Sequence, residues 1–468
     1  MKNFDFSIFK AYDIRGVYPE QINKEFVYNI GRAYLDYIRE LEKVDEPQIV
    51  VGRDARESSD EFFEAFSRGI TDQGGDVFDI DLVTTPMLYW AVNFLTAQGG
   101  AMITASHNPG EYNGLKLTRS KAVVLGGETG LDKIKDKIIK DNFKEGETKE
   151  LIAKKEVIPY YIDFLVKDFK DLGFDGKLVI DTGNGMAGYI LPKLLDRMGI
   201  NYVPLFFDID CNFPNHEANP LKEETLDKLK ETIKKEKADL GVAFDGDGDR
   251  VVFVTEKGEV IRGDFITAIL SEQYLTEYNG ASIVYDIRCS KVVNEKIEKF
   301  GGKSFVSKVG HPNMKSKMME SGAIFGGELS SHIYFAFDFP MNKSYFESGL
   351  YTMLKFIKLL VDKSKKASEI LKPLNKYAYS GEINFEVKNK KKVMEKIEKE
   401  YKKRGEINKI DGIRIDINTK NGWFWFIVRP SNTEPVLRMI MEAKNKKILE
   451  EKLLELQNII IKEGGKIK

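Results

Sequence analysis

Two separated segments hold the residue types that could carry chemistry. Thr104-Ala105-Ser106-His107-Asn108-Pro109 offers a hydroxyl on a turn that Pro109 stiffens. Far downstream, Asp245-Gly246-Asp247-Gly248-Asp249-Arg250 packs three carboxylates into five residues, a density that only a metal ion or cationic partners make tolerable. The alternating glycines let the backbone fold tightly enough to aim Asp245, Asp247 and Asp249 at one point. Three hard oxygen ligands plus a phosphate oxygen suit magnesium. A calcium loop is the rival reading, since Glu256 falls on the twelfth position of that pattern. Arg250, however, stands where such a loop needs Gly, and strand-like segments flank it. Together the two segments point to phosphoryl chemistry.

The elements around them are legible from periodicity. Gln48-Ile49-Val50-Val51-Gly52 reads as a buried strand, residues 58–70 as a helix behind a Ser58 cap, and residues 76–80 as the next strand. Such alternation predicts a parallel or mixed sheet covered by helices, with binding loops at the carboxyl ends of strands. Gly100-Ala101-Met102-Ile103-Thr104 is the strand that delivers Ser106. A charged stretch from Lys133 to Lys155 separates this block from a second, which opens with Lys177-Leu178-Val179-Ile180-Asp181 and closes near Glu256. A third opens with a strand at residues 282–285 and ends in an apolar helix over residues 348–361. The shared order of elements hints at an internal repeat, although no residue-level self-similarity recurs at a fixed period. Beyond it, Lys388 to Arg404 reads as a helix with a solvated, charged face and Gly422-Trp423-Phe424-Trp425-Phe426-Ile427-Val428 as an aromatic core strand. The expected domain limits are 1–149, 150–256, 257–370 and 371–468.

Composition narrows the partners. A chain of 468 residues is too long for one ordinary core. Its 72 Lys and Arg against 73 Asp and Glu give no electrostatic reason to expect nucleic acid or an anionic membrane surface, so a small molecule is the expected partner. Cys211 and Cys289 are too few and too far apart for a disulfide framework, which fits a reducing, cytoplasmic setting. No stretch reads as a signal peptide or a membrane span. The spacing of His107, His216, His311 and His332 matches no zinc template.

Four segments occur in the order of the alpha-D-phosphohexomutase motifs: Thr104 to Pro109, Asp245 to Arg250, Gly327-Glu328-Leu329-Ser330, and Arg429-Pro430-Ser431-Asn432-Thr433-Glu434-Pro435. Lys10-Ala11-Tyr12-Asp13-Ile14-Arg15-Gly16 resembles the N-terminal signature, so the resemblance spans nearly the whole chain. It implies an α/β fold of four domains around a central cleft, three with a similar mixed-sheet topology and a smaller C-terminal α+β domain; since reorienting an intermediate needs both enclosure and release, the fourth domain is expected to hinge near residue 370. The Glu-x-Ser form with an apolar middle residue resembles the phosphomannomutase/phosphoglucomutase enzymes, although Ser331 stands where Gly is expected.

The resemblance also implies roles. Ser106 carries a phosphoryl group, passes it to a hexose monophosphate, and recovers the other phosphate from a 1,6-bisphosphate that has reversed its orientation. Asp245, Asp247 and Asp249, with Ser106, hold Mg2+, while Arg15 and Arg250 supply fixed positive charge. Lys116 is a candidate base if neighbouring cations and partial burial depress its pKa, and His332 is the other. Glu328 and Ser330, two apart in an extended segment, face the sugar hydroxyls. Arg429, Ser431, Asn432 and Thr433 hold the non-reacting phosphate, and Tyr12, Arg288, Lys308 and His311 contact the ligand. Glucose 1,6-bisphosphate or mannose 1,6-bisphosphate is the implied activator, and a monomer or small homo-oligomer the implied assembly.

Three other readings have a basis. Within the family the nearest competitor is a phosphoglucosamine mutase. A sugar-phosphate-binding protein unable to turn over would keep the same fold, but the presence of Ser106, the carboxylate triplet and Lys116 argues against it. Gly183-Asn184-Gly185-Met186-Ala187-Gly188 satisfies a dinucleotide-binding pattern with Asp208 suitably downstream, yet a glycine turn between strand and helix also serves close packing.

Overall fold

The computed structural model describes residues 4–141, 143, 147–149, 152–431 and 436–468. Its first sheet runs Ile14–Val17, Tyr112–Arg119, Gly99–Ile103, Gln48–Arg53, Asp76–Leu82 and Ile152–Lys154, with Val123–Val124 paired to Tyr112–Arg119. Strand Ile152–Lys154 pairs with Asp76–Leu82, so the first sheet takes in residues just past 149. The second runs Val260–Ile261, Val251–Thr255, Leu240–Phe244, Lys177–Asp181 and Asn201–Leu205, and the third Lys303–Ser307, Ser282–Asp286, Phe325–Gly327, Ile333–Phe339 and Asn342–Glu347.

The three sheets share one plan. Each has a trio of parallel strands, centred on Gln48–Arg53, Lys177–Asp181 and Ser282–Asp286. Each then reverses into an antiparallel neighbour, Tyr112–Arg119, Val251–Thr255 or Ile333–Phe339. The repeat hinted at by element order is therefore a repeat of topology. Its consequence is positional: the reversing loops are 104–111, 245–250 and 328–332, the segments singled out for chemistry.

Packing joins these domains. Helices Lys24–Glu42, Ser59–Thr71 and Asp132–Lys140 cover one face of the first sheet over Phe26, Tyr34, Phe62 and Phe66. Helix Thr85–Phe94 covers the other face, and its Met87 and Trp90 belong to a core that runs on through Leu191, Phe253, Phe337 and Tyr351 of the next two domains. Ser58 stands at the cap of Ser59–Thr71, but its hydroxyl accepts from Asn113 Nδ2 at 2.8 Å, so it braces the neighbouring strand instead of the helix end.

The fourth domain is built differently. Its antiparallel sheet runs Glu406–Asn408, Ile413–Thr419, Gly422–Pro430, Val436–Ala443, Ile383–Glu386 and Lys466–Ile467, backed by helices Lys390–Tyr401 and Lys446–Lys462. It keeps its own core around Phe385, Tyr401, Phe426 and Leu456. A small cluster of Ile287 with Trp425, Ile427 and Ile440 joins it to the third domain. No helix among the described residues is long and apolar enough to cross a membrane.

Candidate active site

Ser106 is held at φ +53°, a left-handed conformation that costs a non-glycine residue about 1–2 kcal/mol. Local bonds enforce it. Thr104 Oγ1 accepts from the Ser106 amide at 2.9 Å, and Arg56, whose side chain is fully buried, donates to the carbonyls of Ser106, Asn108, Pro109 and Tyr112 at 2.7–2.9 Å. Four carbonyls converging on one guanidinium fix the loop that carries the hydroxyl. Arg15 Nη1 adds a bond to Asn108 Oδ1 at 2.6 Å, and its Nη2 pairs with Asp13 at 2.5 Å.

The second loop meets this one closely. A Cβ on Gly246 would lie 2.4 Å from the Ser106 carbonyl oxygen, so only glycine permits the approach. Ser106 Oγ then reaches Asp245 Oδ2 at 3.2 Å and His107 Nδ1 at 3.2 Å. Thr85, opening helix Thr85–Phe94, donates its hydroxyl to Asp247 Oδ2 at 2.5 Å, where the helix dipole also favours negative charge.

Carboxylate oxygens of Asp245, Asp247 and Asp249 come within 4.8 Å of one another in a buried cluster. Burial and repulsion from Asp249 and Asp247 push the Asp245 carboxyl well above its ordinary range, a penalty that a cation would relieve. Asp247 Oδ1 is buried with no hydrogen-bond partner among the described residues. Hard oxygens, net negative charge and an orphaned oxygen fit a divalent metal, and the three residues could hold one. Glu256, the twelfth residue of the calcium-loop pattern, instead accepts bonds from Ser368 and takes no part.

Lys116 departs from expectation. Its Nζ lies 2.5 Å from Asp247 Oδ2 and 2.6 Å from Asp249 Oδ2. Burial opposes its charge, but the two carboxylates outweigh burial and raise its pKa, so the ammonium is held protonated. The neighbours that decide its state are anions, not the cations the sequence reading supposed. His107 goes the other way: burial, then Arg250 and Arg15, keep its imidazole neutral.

The third loop is a tight turn, not the extended segment expected for Glu328 and Ser330. The Ser331 amide bonds the Glu328 carbonyl at 3.1 Å, and Ser331 sits at φ +64°, taking the left-handed place where glycine was expected. Glu328 is buried, and its oxygens accept from the Gly310 amide and the Tyr334 hydroxyl, both at 2.7 Å. His332 bridges two loops, with Nε2 3.2 Å from Arg250 Nε and 3.3 Å from Asp249 Oδ1, and Nδ1 3.1 Å from Ser330 Oγ.

The remaining residues come from the third and fourth domains. Arg288 is buried against Asp286 at 2.9 Å and lies 3.8 Å from Glu328. Burial and the nearby Arg288 lower the pKa of Arg429, whose paired carboxylate among the described residues, Asp411, is 3.8 Å away. Arg288 is matched by Asp286, whereas Arg429 has no carboxylate as close among the described residues, a setting suited to an anion. Tyr12 donates to the Val309 carbonyl at 2.9 Å and stands edge-on to His311, which ties the N-terminal signature to the third domain. Lys308 is exposed, Ser431 follows the strand ending at Pro430, and Asn432 and Thr433 lie outside the described residues.

Arg56, Thr85 and His107 were not singled out from sequence. Arg56 follows the carboxyl end of strand Gln48–Arg53, where a mixed sheet places its functional loops, and that rule could have found it. Thr85 reads only as part of a helix start. The glycines of the dinucleotide-like pattern serve packing: a Cβ on Gly185 would meet the Gly246 carbonyl at 2.7 Å, and one on Gly188 the Phe207 carbonyl at 2.4 Å.

Comparison with known proteins agrees with this architecture. The phosphoglucomutase/phosphomannomutase family matches in four successive pieces: alpha/beta/alpha domain I over residues 7–145, domain II over 159–258, domain III over 262–377, and the C-terminal domain over 382–456. A phosphomannomutase of Methanocaldococcus jannaschii is 39% identical over 98% of both chains. A phosphomannomutase/phosphoglucomutase of Pseudomonas aeruginosa is 35% identical over 95% of this chain and 93% of its own. A crystal structure of a family protein from Burkholderia thailandensis superposes with a TM-score of 0.89 at 31% identity, covering 99% of each chain. With all four domains matched in order and relatives aligned almost end to end, the chain belongs to the phosphoglucomutase/phosphomannomutase family.

Proposed function

We propose that this protein interconverts hexose 1-phosphates and 6-phosphates, of mannose, glucose or both, through a phosphoserine at Ser106. The observation that carries the reading is the meeting of three equivalent loops, which sets the Ser106 hydroxyl 3.2 Å from Asp245 and joins Asp249 to His332. In the first half, the bond between phosphorus and Ser106 Oγ breaks as a sugar hydroxyl bonds the phosphorus. The hydroxyl proton leaves to His332, beside the carboxylate cluster, or to Lys116 once Asp247 and Asp249 have turned to a metal and freed the ammonium to lose its own proton. Ser106 Oγ takes up a proton as it leaves; the bisphosphate turns over, and in the second half Ser106 Oγ gives up that proton and bonds the other phosphorus as the bond from that phosphorus to the sugar oxygen breaks, the sugar oxygen taking the proton. Bonds formed and broken balance, and the net change is isomerisation.

Asp245, Asp247, Asp249 and the Ser106 phosphate would hold magnesium, which when bound offsets charge on the transferring phosphoryl oxygens. Arg250 and Arg15 add fixed charge at that end. At the other, Arg429 with Ser431, Asn432 and Thr433 grips the phosphate that stays in place. Glu328, Ser330, Tyr12, Arg288, Lys308 and His311 complete the sugar subsite. The fourth domain, joined to the third through the small Ile287 cluster, closes near residue 370 to enclose the intermediate. The setting is cytoplasmic, with a small-molecule partner and a monomer or small homo-oligomer.

Intact-mass analysis after incubation with glucose 1,6-bisphosphate and magnesium tests the covalent step. One phosphoryl adduct is expected on the wild type and none on Ser106→Ala. An adduct of equal yield on both removes Ser106 from the mechanism.

A further inference from the structure

One buried polar cluster lies outside the loops described above. Helix His311–Ser321 begins at His311 and presents Lys315 one turn later on the same side. Opposite both stands Glu347, the last residue of strand Asn342–Glu347 and fully buried. Lys315 Nζ lies 2.8 Å from Glu347 Oε2 and 3.7 Å over the Tyr89 ring, so one carboxylate oxygen is ion-paired with the ammonium. The other, Oε1, lies 3.9 Å from His311 Nδ1. Glu347 Oε1 and Oε2, His311 Nδ1 and Lys315 Nζ are all buried without a hydrogen-bond partner among the described residues, and since Oε2 and Nζ are ion-paired with each other, Oε1 and Nδ1 are the two left without a close partner. Each is thus the acceptor or donor that the other lacks, with a separation that a small ring rotation closes. The His311 side chain keeps 12% of its surface exposed although Nδ1 is buried, so its remaining access to solvent lies elsewhere on the ring.

We infer that Glu347, anchored by Lys315, is a positioning residue for His311: it fixes the imidazole with the proton on Nδ1 and leaves Nε2 as a lone-pair acceptor for a ligand hydroxyl. A carboxylate has no proton to donate, so the atom facing it must be the N–H of a neutral ring. The partner of Nε2 is therefore a sugar O–H, not a phosphate oxygen. Burial, followed by the charges of Lys315 and Lys116, keeps the ring neutral, in line with this assignment. The choice of ligand group rests on the mutase reading above; the proton position does not.

Glu347→Gln makes the inference testable through a single exchange. The amide has one acceptor oxygen, and Lys315 claims it, so the amide NH2 turns to His311 Nδ1 and forces the proton to Nε2. With only four histidines in the chain, nitrogen NMR of histidine-labelled protein, assigned with His311→Asn, reads the tautomer without substrate. The wild type is expected to show the Nδ1–H form, Glu347→Gln the Nε2–H form, and Glu347→Asp to retain the wild-type form. Glu347→Gln should also raise KM about five- to tenfold, the loss of one neutral hydrogen bond, with kcat changed far less. An Nε2–H tautomer in the wild type overturns the inference even if the variants do not fold, as does an unchanged tautomer in Glu347→Gln. The expected tautomers in a protein that converts no sugar phosphate would overturn the mutase reading and leave the positioning role standing.

Discussion

Ser106 Oγ in the first domain lies 3.2 Å from Asp245 Oδ2 in the second, across the point where two equivalent loops touch. The hydroxyl proposed to receive a phosphoryl group and the carboxylates suited to a metal are thereby parts of one structure. Replacing Ser106 with Ala deletes the acceptor atom and little else. Turnover should fall by at least about 10³-fold, as expected for loss of a covalent nucleophile, while calorimetric affinity for the sugar bisphosphate stays nearly unchanged. Retained activity would show that another group carries the phosphoryl.

Gly246 sets the distance between those loops. A methyl at this position would sit 2.4 Å from the Ser106 carbonyl oxygen, so one loop has to retreat. Gly246→Ala should cost about 1–3 kcal/mol of stability by overpacking and lower kcat more than it raises KM. Denaturation curves and steady-state rates read both effects. A variant with normal kcat would mean that the spacing is not critical.

Arg56 holds the Ser106 loop from below through four carbonyls while pairing with buried Asp54 at 3.1 Å. Arg56→Ala leaves Asp54 without its cation, a change that typically costs about 3–5 kcal/mol. The prediction is a large fall in melting temperature together with slower phosphorylation of Ser106 by bisphosphate. Arg56→Lys should recover part of the stability but little of the rate, since an ammonium lacks the planar fork that spans four acceptors.

His216 gives the second domain a pH-dependent contact. Its Nε2 lies 3.1 Å from Asp181 Oδ2, and its Nδ1 is 2.8 Å from the Glu217 carbonyl. Burial works against the charged ring, but Asp181 and the carbonyl outweigh it and raise its pKa above the ordinary 6.5. The folded state therefore binds the proton more tightly than the unfolded chain. The stability this supplies is fully present below 6.5 and is lost as pH rises through the higher folded value. His107 and His311, held neutral by burial, act with the opposite sign, so the useful quantity is a difference. The stability gap between wild type and His216→Gln should be largest near about pH 5.5 and shrink towards about pH 8.5, a range that brackets ordinary histidine titration. A gap independent of pH would contradict the charged pair.

Much of this arrangement was legible in the chain because local pattern and local chemistry coincide. The glycine-spaced carboxylates at 245–249 announce a loop that gathers charge, and the strand before Ser106 places the hydroxyl at a strand end. What the sequence did not disclose is mostly long-range. Lys116 lies over a hundred residues from Asp247 and Asp249, and nothing near it in sequence indicates that two anions, not cations, would set its state. The turn at Glu328–Ser331 was misread as extended because Ser331 adopts a left-handed conformation usually left to glycine. Arg56 does not stand out because the bonds that hold the Ser106 loop go to backbone carbonyls some fifty residues away, which no side-chain pattern announces. The equivalence of the three reversing loops emerges only when the sheets are compared strand by strand.

Phosphorus NMR of the purified protein, with magnesium and a trace of glucose 1,6-bisphosphate, tests the central claim most directly when mannose 1-phosphate and glucose 1-phosphate are supplied in separate samples. The account predicts that the 1-phosphate signal of at least one sugar is replaced by that of its 6-phosphate, with no inorganic phosphate accumulating and with no conversion by Ser106→Ala. Intact 1-phosphates in both samples, or conversion that survives the loss of Ser106, would contradict it.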